Sequence, residues 1–386
     1  MVRRLALSLA AVVVLAGAYV GYASIRHVMP RELPAPTGRY AVGRVMADWT
    51  DTGRVDPLAP RPGVRRELSV WLWYPAARTR GRAAAYAPGA WAGMHIAGLP
   101  GLGETSFAAV RAHAHDGARV AAGRFPVVVL EPGLGQAAPL YTTIAENLAS
   151  HGYLVAGVTP TYSANLTVLH GRPVTRTPAG DPPDSELANP RRAAALEGRL
   201  VSVWAADARF AAARVTALGR TGRFAGHVDT ARTAYAGHSL GGAASLEACR
   251  TDRRCAGAAD LDGDRSGPVA RRGLRHPMLL LGSENSCVIG VCRPASAQDR
   301  SARSTAAAMV AASTGPVWRR AIAGTQHFNF SDFAAFSWAA PVRALMPLGP
   351  IDGARGLRIT NGYVTAFADH VLRGATAAPL GSPVAR

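Results

Sequence analysis

Gly237-His238-Ser239-Leu240-Gly241-Gly242 constrains this chain more than any other stretch. It follows a short apolar run, Thr233-Ala234-Tyr235-Ala236, that reads as a strand. It precedes Ala243-Ala244-Ser245-Leu246-Glu247-Ala248, which reads as a helix. A serine framed by glycines at a strand-to-helix junction is a nucleophile elbow, because glycines at 237 and 241 allow a tight turn that side chains would block. The hydroxyl then stands clear of the sheet, and the next backbone N–H, that of Leu240, is placed to donate to a developing oxyanion. An incidental serine in a glycine-rich turn would not need the flanking strand and helix.

An elbow of this kind needs an acid and a base later in the chain, in the order Ser, Asp, His. The base candidate is His327, directly after the strand-like Val317-Trp318-Arg319-Arg320-Ala321-Ile322, with Ser331 or Asp332 expected to cap the next helix. His370 lies inside an amphipathic C-terminal pattern and His276 precedes Pro277 at a strand start, so both are expected to be structural. For the acid, a small-residue strand from Ala256 to about Leu261 ends at Asp262, with Gly263 opening the loop. Asp262 would accept the imidazole Nδ1–H, fix the tautomer and stabilise the imidazolium. Asp260 is the alternative acid, and Asp264 reads as a solvated turn residue.

Several further segments fall in register with a known family. Arg66 to Ala76 contains Trp71-Leu72-Trp73-Tyr74-Pro75, and Phe125-Pro126-Val127-Val128-Val129-Leu130-Glu131-Pro132-Gly133-Leu134-Gly135 reads as a strand running into a glycine loop. With Tyr141 to Val155, the elbow, Leu261-Asp262-Gly263 and His327-x-Asn329-Phe330-x-Asp332, these resemble the platelet-activating-factor acetylhydrolase type of α/β-hydrolase over roughly residues 36 to 373. That group comprises serine-dependent esterases and lipases, with dienelactone hydrolases and polyester hydrolases among its relatives. The resemblance implies Leu134 N–H and Leu240 N–H as oxyanion donors and no metal or organic cofactor. It also implies an acid soon after the nucleophile, and Asp262 stands 23 positions after Ser239. Glu131-Pro132 departs from the Ser-His or Ser-Pro common there; a carboxylate beside the oxyanion loop opposes negative charge unless it turns away or pairs with an arginine.

Strands alternating with helices predict an α/β fold, a doubly wound and mostly parallel sheet with helices on both faces. Residues 1–25 read as a signal peptide or membrane anchor, 26–63 as a Pro/Gly/Arg-rich linker entering the first strands, 64–376 as one catalytic domain and 377–386 as a tail. Within the domain, residues 81–124, with Pro88-Gly89-Ala90-Trp91 and Pro100-Gly101-Leu102-Gly103, are expected to form a lid or pack on the rim of the site. The proline-rich loop 162–190 begins with Tyr162, a candidate for the acyl pocket or for ordinary rim packing. Residues from the 190s to Leu218 read as a helix burying Trp204, Phe210 and Val215, and Ala302 to Ala312 as another.

Arg3 and Arg4 precede Leu5 through Ile25, 21 positions without a charge, long enough to cross a hydrocarbon core of ~30 Å. Ala16-Gly17-Ala18 offers a cleavage site, while the apolar run continues beyond it, so a secreted and an anchored enzyme are both open. Four cysteines in two local pairs fit an exported chain, and Cys249–Cys255 with Cys287–Cys292 is the favoured connectivity of three. The net charge of +18 comes from arginine, with no lysine, and the arginines are scattered rather than clustered with aromatics. That pattern argues against nucleic acid and leaves attraction to an anionic membrane open. The expected partner is a small-molecule ester or lipid. Lipid-like or short-acyl esters lead, a polyester or cutin-type polymer is the alternative, and a non-catalytic binding module is disfavoured by the intact nucleophile, base and acid.

Overall fold

The computed structural model describes residues 2–79, 81–94, 105–263 and 265–384; Asp264 and the Pro100-to-Gly103 run lie outside the described residues. Helix α1 (Val2–Val28) leads to strands β1 (Ala41–Val55) and β2 (Arg65–Ala76), then β3 (Phe125–Glu131), α2 (Thr142–Ser150) and β4 (Leu154–Thr159). The chain continues through α3 (Pro190–Leu218), β5 (Val228–His238), α4 (Leu240–Thr251), β6 (Cys255–Leu261) and β7 (Met278–Ser283). It closes with α5 (Ala297–Ala312), β8 (Val317–Ile322) and α6 (Gly353–Arg373).

The strands pair in the order β1-β2-β4-β3-β5-β6-β7-β8, with the two-residue strand His115–Asp116 at the β1 edge. β2 runs antiparallel to β1 and β4, and every pairing from β4 through β8 is parallel. Burial on both faces explains why β3 and β4 read as nearly unbroken apolar runs. Alternate residues serve the two faces. Val128, Leu130 and Val155 pack with Ile144 and Leu148 of α2 and Phe367 of α6. Val127, Val129 and Leu154 pack with Ala208 of α3, Leu246 of α4 and other residues on the opposite side. The sheet is therefore doubly wound, which brings the loops after β3, β5, β6 and β8 to one edge.

Local signals account for several boundaries. Asn189 accepts from Arg191 N–H and Arg192 N–H, and Pro190 starts α3. A capping box of Ser296 and Asp299 starts α5 at Ala297, five positions before the expected Ala302. Trp204 and Val215 are buried in α3 as expected, whereas Phe210 is only half buried. The stretch read as linker contains the 15-residue β1, and the expected tail packs back, with Leu380 buried and Val384 N–H donating to Val317 O at 2.7 Å.

Beneath the sheet edge, buried Arg66 of β2 donates to Asp207 of α3 at 2.6 Å, to Asp56 at 2.9 Å and to Thr161 O at 2.9 Å. This network fastens β2 to α3. Helix α1 is largely exposed until its last turns. There Arg26 donates twice to Ser337 Oγ, at 2.9 and 2.6 Å, and Ser106 N–H donates to His27 O at 2.8 Å. Both expected disulfides are present, Cys249–Cys255 joining the end of α4 to the start of β6 and Cys287–Cys292 closing the loop after β7.

Candidate active site

β5 ends at His238, and Ser239 follows with φ 55° and ψ −127°, a strained conformation for a residue with a side chain. The turn is possible because its neighbours carry none. A Cβ on Gly241 would lie 2.2 Å from Pro132 O, and one on Gly237 would lie 2.3 Å from Gly241 O. Two loops thus press against each other here, the elbow and the chain leaving β3.

His327 lies just beyond β8. Its Nε2 is 3.0 Å from Ser239 Oγ, and its Nδ1 is 2.9 Å from Asp262 Oδ2. Asp262, just past β6, also accepts Ser283 N–H at 3.0 Å and Ser283 O–H at 3.1 Å. Burial pushes its carboxyl pKa up, but the hydrogen bond and charge of His327, with Ser286 and Ser283, outweigh that and hold it at about 2. The structure brings Asp262, and not Asp260, to His327. Asp260 is buried inside the sheet, pairs with Arg265 and accepts Gly263 N–H at 2.8 Å. His370 sits on α6, its Nδ1 2.8 Å from Ala375 O, well separated in role from the elbow.

The loop after β3 supplies the other side. A Cβ on Gly133 would lie 3.1 Å from His238 Nδ1 and 3.3 Å from Ser239 Cβ, so the backbone passes directly over the nucleophile. Among the described residues, no backbone acceptor takes the N–H of Leu134 or Leu240. Leu240 opens α4, where the helix dipole favours negative charge. Glu131 is buried, and burial, followed by the charge of Asp207, pushes its carboxyl pKa well above the usual range, which disfavours the charged form.

A cavity of ≈ 270 Å³ lies beside these groups, its wall including Leu134 and Phe328, the neighbours of Gly133 and His327. Met94 and Phe107 bring the described parts of the 81–124 insertion to this wall. The 162–190 loop contributes Asn165, Leu166 and the Arg176–Asp181 ion pair, 2.5 Å apart, whereas Tyr162 packs aside with Leu58, Leu134 and Leu240.

Asp332 also departs from expectation. It does not cap its own turn; its carboxylate accepts the N–H groups of Thr142 and Thr143 at 3.0 and 3.1 Å, capping α2 from across the site. Tyr86 O–H donates to the same carboxylate at 3.0 Å. Sequence reasoning missed this role, and it missed His238 and Tyr141, whose contacts are described below. For His238 a signal existed, since it stands inside the elbow itself.

Comparison with known proteins fits this geometry. The family model described as platelet-activating factor acetylhydrolase, isoform II, matches residues 32–173. A solved ferulic acid esterase from Streptomyces cinnamoneus is 32% identical, with a TM-score of 0.72, over 92% of this chain and 97% of that one. The chain belongs to the platelet-activating-factor acetylhydrolase-like α/β-hydrolase esterases. No curated protein matches it. As a member of this family it is a carboxylic ester hydrolase whose substrate is a small-molecule ester.

Proposed function

We propose that this esterase acts through Ser239 as nucleophile, His327 as general base and acid, and Asp262 as the carboxylate that orients the imidazole. Ser239 Oγ attacks the ester carbonyl carbon while His327 Nε2 takes the hydroxyl proton. The carbonyl oxygen becomes an oxyanion, held by the N–H groups of Leu134 and Leu240, each such donor being worth about 2.7–4 kcal/mol. His327 returns the proton to the leaving alcohol oxygen. Water then attacks the acyl-enzyme carbonyl carbon, giving a proton to the same nitrogen; the bond to Ser239 Oγ breaks as His327 returns that proton to Oγ, and the acid departs. The observation that carries this reading is the unbroken relay of 3.0 and 2.9 Å from Ser239 through His327 to Asp262.

The substrate reading is a lipid-like or short-acyl ester. A cavity of ≈ 270 Å³ is at or below the small end of the roughly 300–1,000 Å³ usual for small-molecule sites. That size suits one compact acyl group better than a polymer segment. A second reading, an aromatic acyl ester, is favoured by Phe107, Phe328 and Phe333 in the wall and by the ferulic acid esterase relative. A chromogenic panel of increasing acyl length, with methyl ferulate and polyester film added, separates the readings. Ser239→Ala is expected to lose about 10⁴-fold or more in kcat on every active substrate. Equal turnover by wild type and this variant would sink the catalytic assignment.

We place the enzyme outside the cytoplasm, secreted or held by α1. The support is an apolar N-terminal helix, of which Leu7–Val28 is long enough to span a bilayer, together with two disulfides. Mass spectrometry of the mature N-terminus distinguishes a cleaved leader from a retained anchor.

A further inference from the structure

His238 is fully buried, and its ring centroid is 4.6 Å from that of His327. Its two nitrogens face opposite sides of the site. Nε2 lies 2.9 Å from the His327 backbone carbonyl, and Nδ1 lies 2.7 Å from the Tyr141 hydroxyl. A carbonyl only accepts, so Nε2 carries the proton and Nδ1 is a bare acceptor. Burial and the neighbouring His327 lower the His238 pKa to about 3, which agrees with a neutral ring.

Tyr141 connects this ring to the oxyanion loop. Its buried hydroxyl oxygen accepts Gly133 N–H at 2.9 Å and also contacts the side-chain amide of Gln136. The phenol has one proton for two neighbours, Gln136 Oε1 and His238 Nδ1. If Gln136 takes it, Nδ1 stays bare in a dry site, at a cost of about 1–3 kcal/mol. Turning the Gln136 amide so that its NH₂ donates to the phenol oxygen frees the proton for His238 and satisfies every group. The resulting chain runs from Gly133 N–H through Tyr141 and His238 to His327 O, passing behind Ser239.

We propose that His238 and Tyr141 are positioning residues, forming a bridge that holds the His327 loop and the Gly133–Leu134 loop in register across the nucleophile. Neither touches substrate. The bridge fixes where the base and one oxyanion amide stand relative to each other, and it rests on the roles proposed above for Ser239, His327 and Leu134.

The test uses the full chain and p-nitrophenyl acetate, with Tyr141→Phe, His238→Gln, His238→Leu, the Tyr141→Phe/His238→Gln double variant and Ser239→Ala. Small misplacements of reacting groups cost up to about 100-fold, so Tyr141→Phe is expected to lower kcat about tenfold or more while KM stays within about twofold. His238→Gln, whose side-chain N–H can reach the His327 carbonyl, should retain more kcat than His238→Leu. The double variant should cost little more than its worse single variant, because both cut one chain. If Tyr141→Phe and His238→Leu keep near-wild-type kcat, or if the losses fall in KM or simply multiply in the double variant, the bridge is refuted. If His238→Leu does not fold, Tyr141→Phe, which removes one oxygen, decides alone. Activity surviving in Ser239→Ala would instead overturn the triad, a separately visible outcome.

Discussion

Glu131 ends β3 just before the glycine loop, and burial disfavours its charged form. Glu131→Gln, neutral at every pH, is therefore expected to leave kcat at pH 7 within about twofold. A large loss would show that the charged form matters. Asp262 has the opposite sign. Its folded pKa, about 2, lies below the ordinary unfolded value of about 3.9, so its contribution is present above pH ~4 and is lost as pH falls toward ~2. Urea unfolding across that window should show wild type losing on the order of 2 kcal/mol that Asp262→Asn does not lose. The same variant should lower kcat by about 10⁴-fold through the wrong tautomer. At this scale the sequence was most legible where chain geometry forces residue type. Gly237 and Gly241 reveal the elbow because nothing larger fits between backbone segments. Asp332 stayed hidden because its partners Thr142, Thr143 and Tyr86 come from distant segments, which periodicity does not join, and the contact of Tyr141 with His238 stayed hidden for the same reason.

The buried guanidinium of Arg66 ties β2 to α3 through Asp207 and Asp56. Breaking one arm leaves charge stranded in a dry interior, so Asp207→Ala should cost about 3 kcal/mol or more in denaturant unfolding. Replacing Arg66, Asp207 and Asp56 together with apolar residues of matched size is expected to cost far less. The disulfide between Cys249 and Cys255 braces the segment leading to Asp262, and reducing it is expected to cost roughly 2 kcal/mol. β3 and β4 were legible from apolar runs bounded by Gly and Pro. β1 was not, because as an antiparallel strand near the sheet edge its second half alternates Asp, Thr, Gly and Arg at a half-exposed surface. Such a composition resembles a linker, and only pairing with β2 shows otherwise.

For the whole molecule, the α/β layering was readable from alternation of strand and helix, and the placement of the cavity was not. Its wall draws on the 81–124 and 162–190 segments, at Met94 and Asn165, and on the loop after β8, at Phe328, whose convergence depends on tertiary packing. If α1 is retained as an anchor, replacing residues 1–21 with a cleavable export signal is expected to move activity from the membrane fraction into the soluble fraction without changing turnover of p-nitrophenyl acetate. Fractionation with an assay on both sides checks this. The seat of α1 on Ser106 and Ser337 has one more consequence. Were α1 retained as an anchor, it would not be a slack leash, because its last turn is already hydrogen-bonded to the catalytic body. In a bilayer, such a mount would set a constant altitude for the pocket, and lateral diffusion in two dimensions, rather than tumbling, would govern which esters it meets.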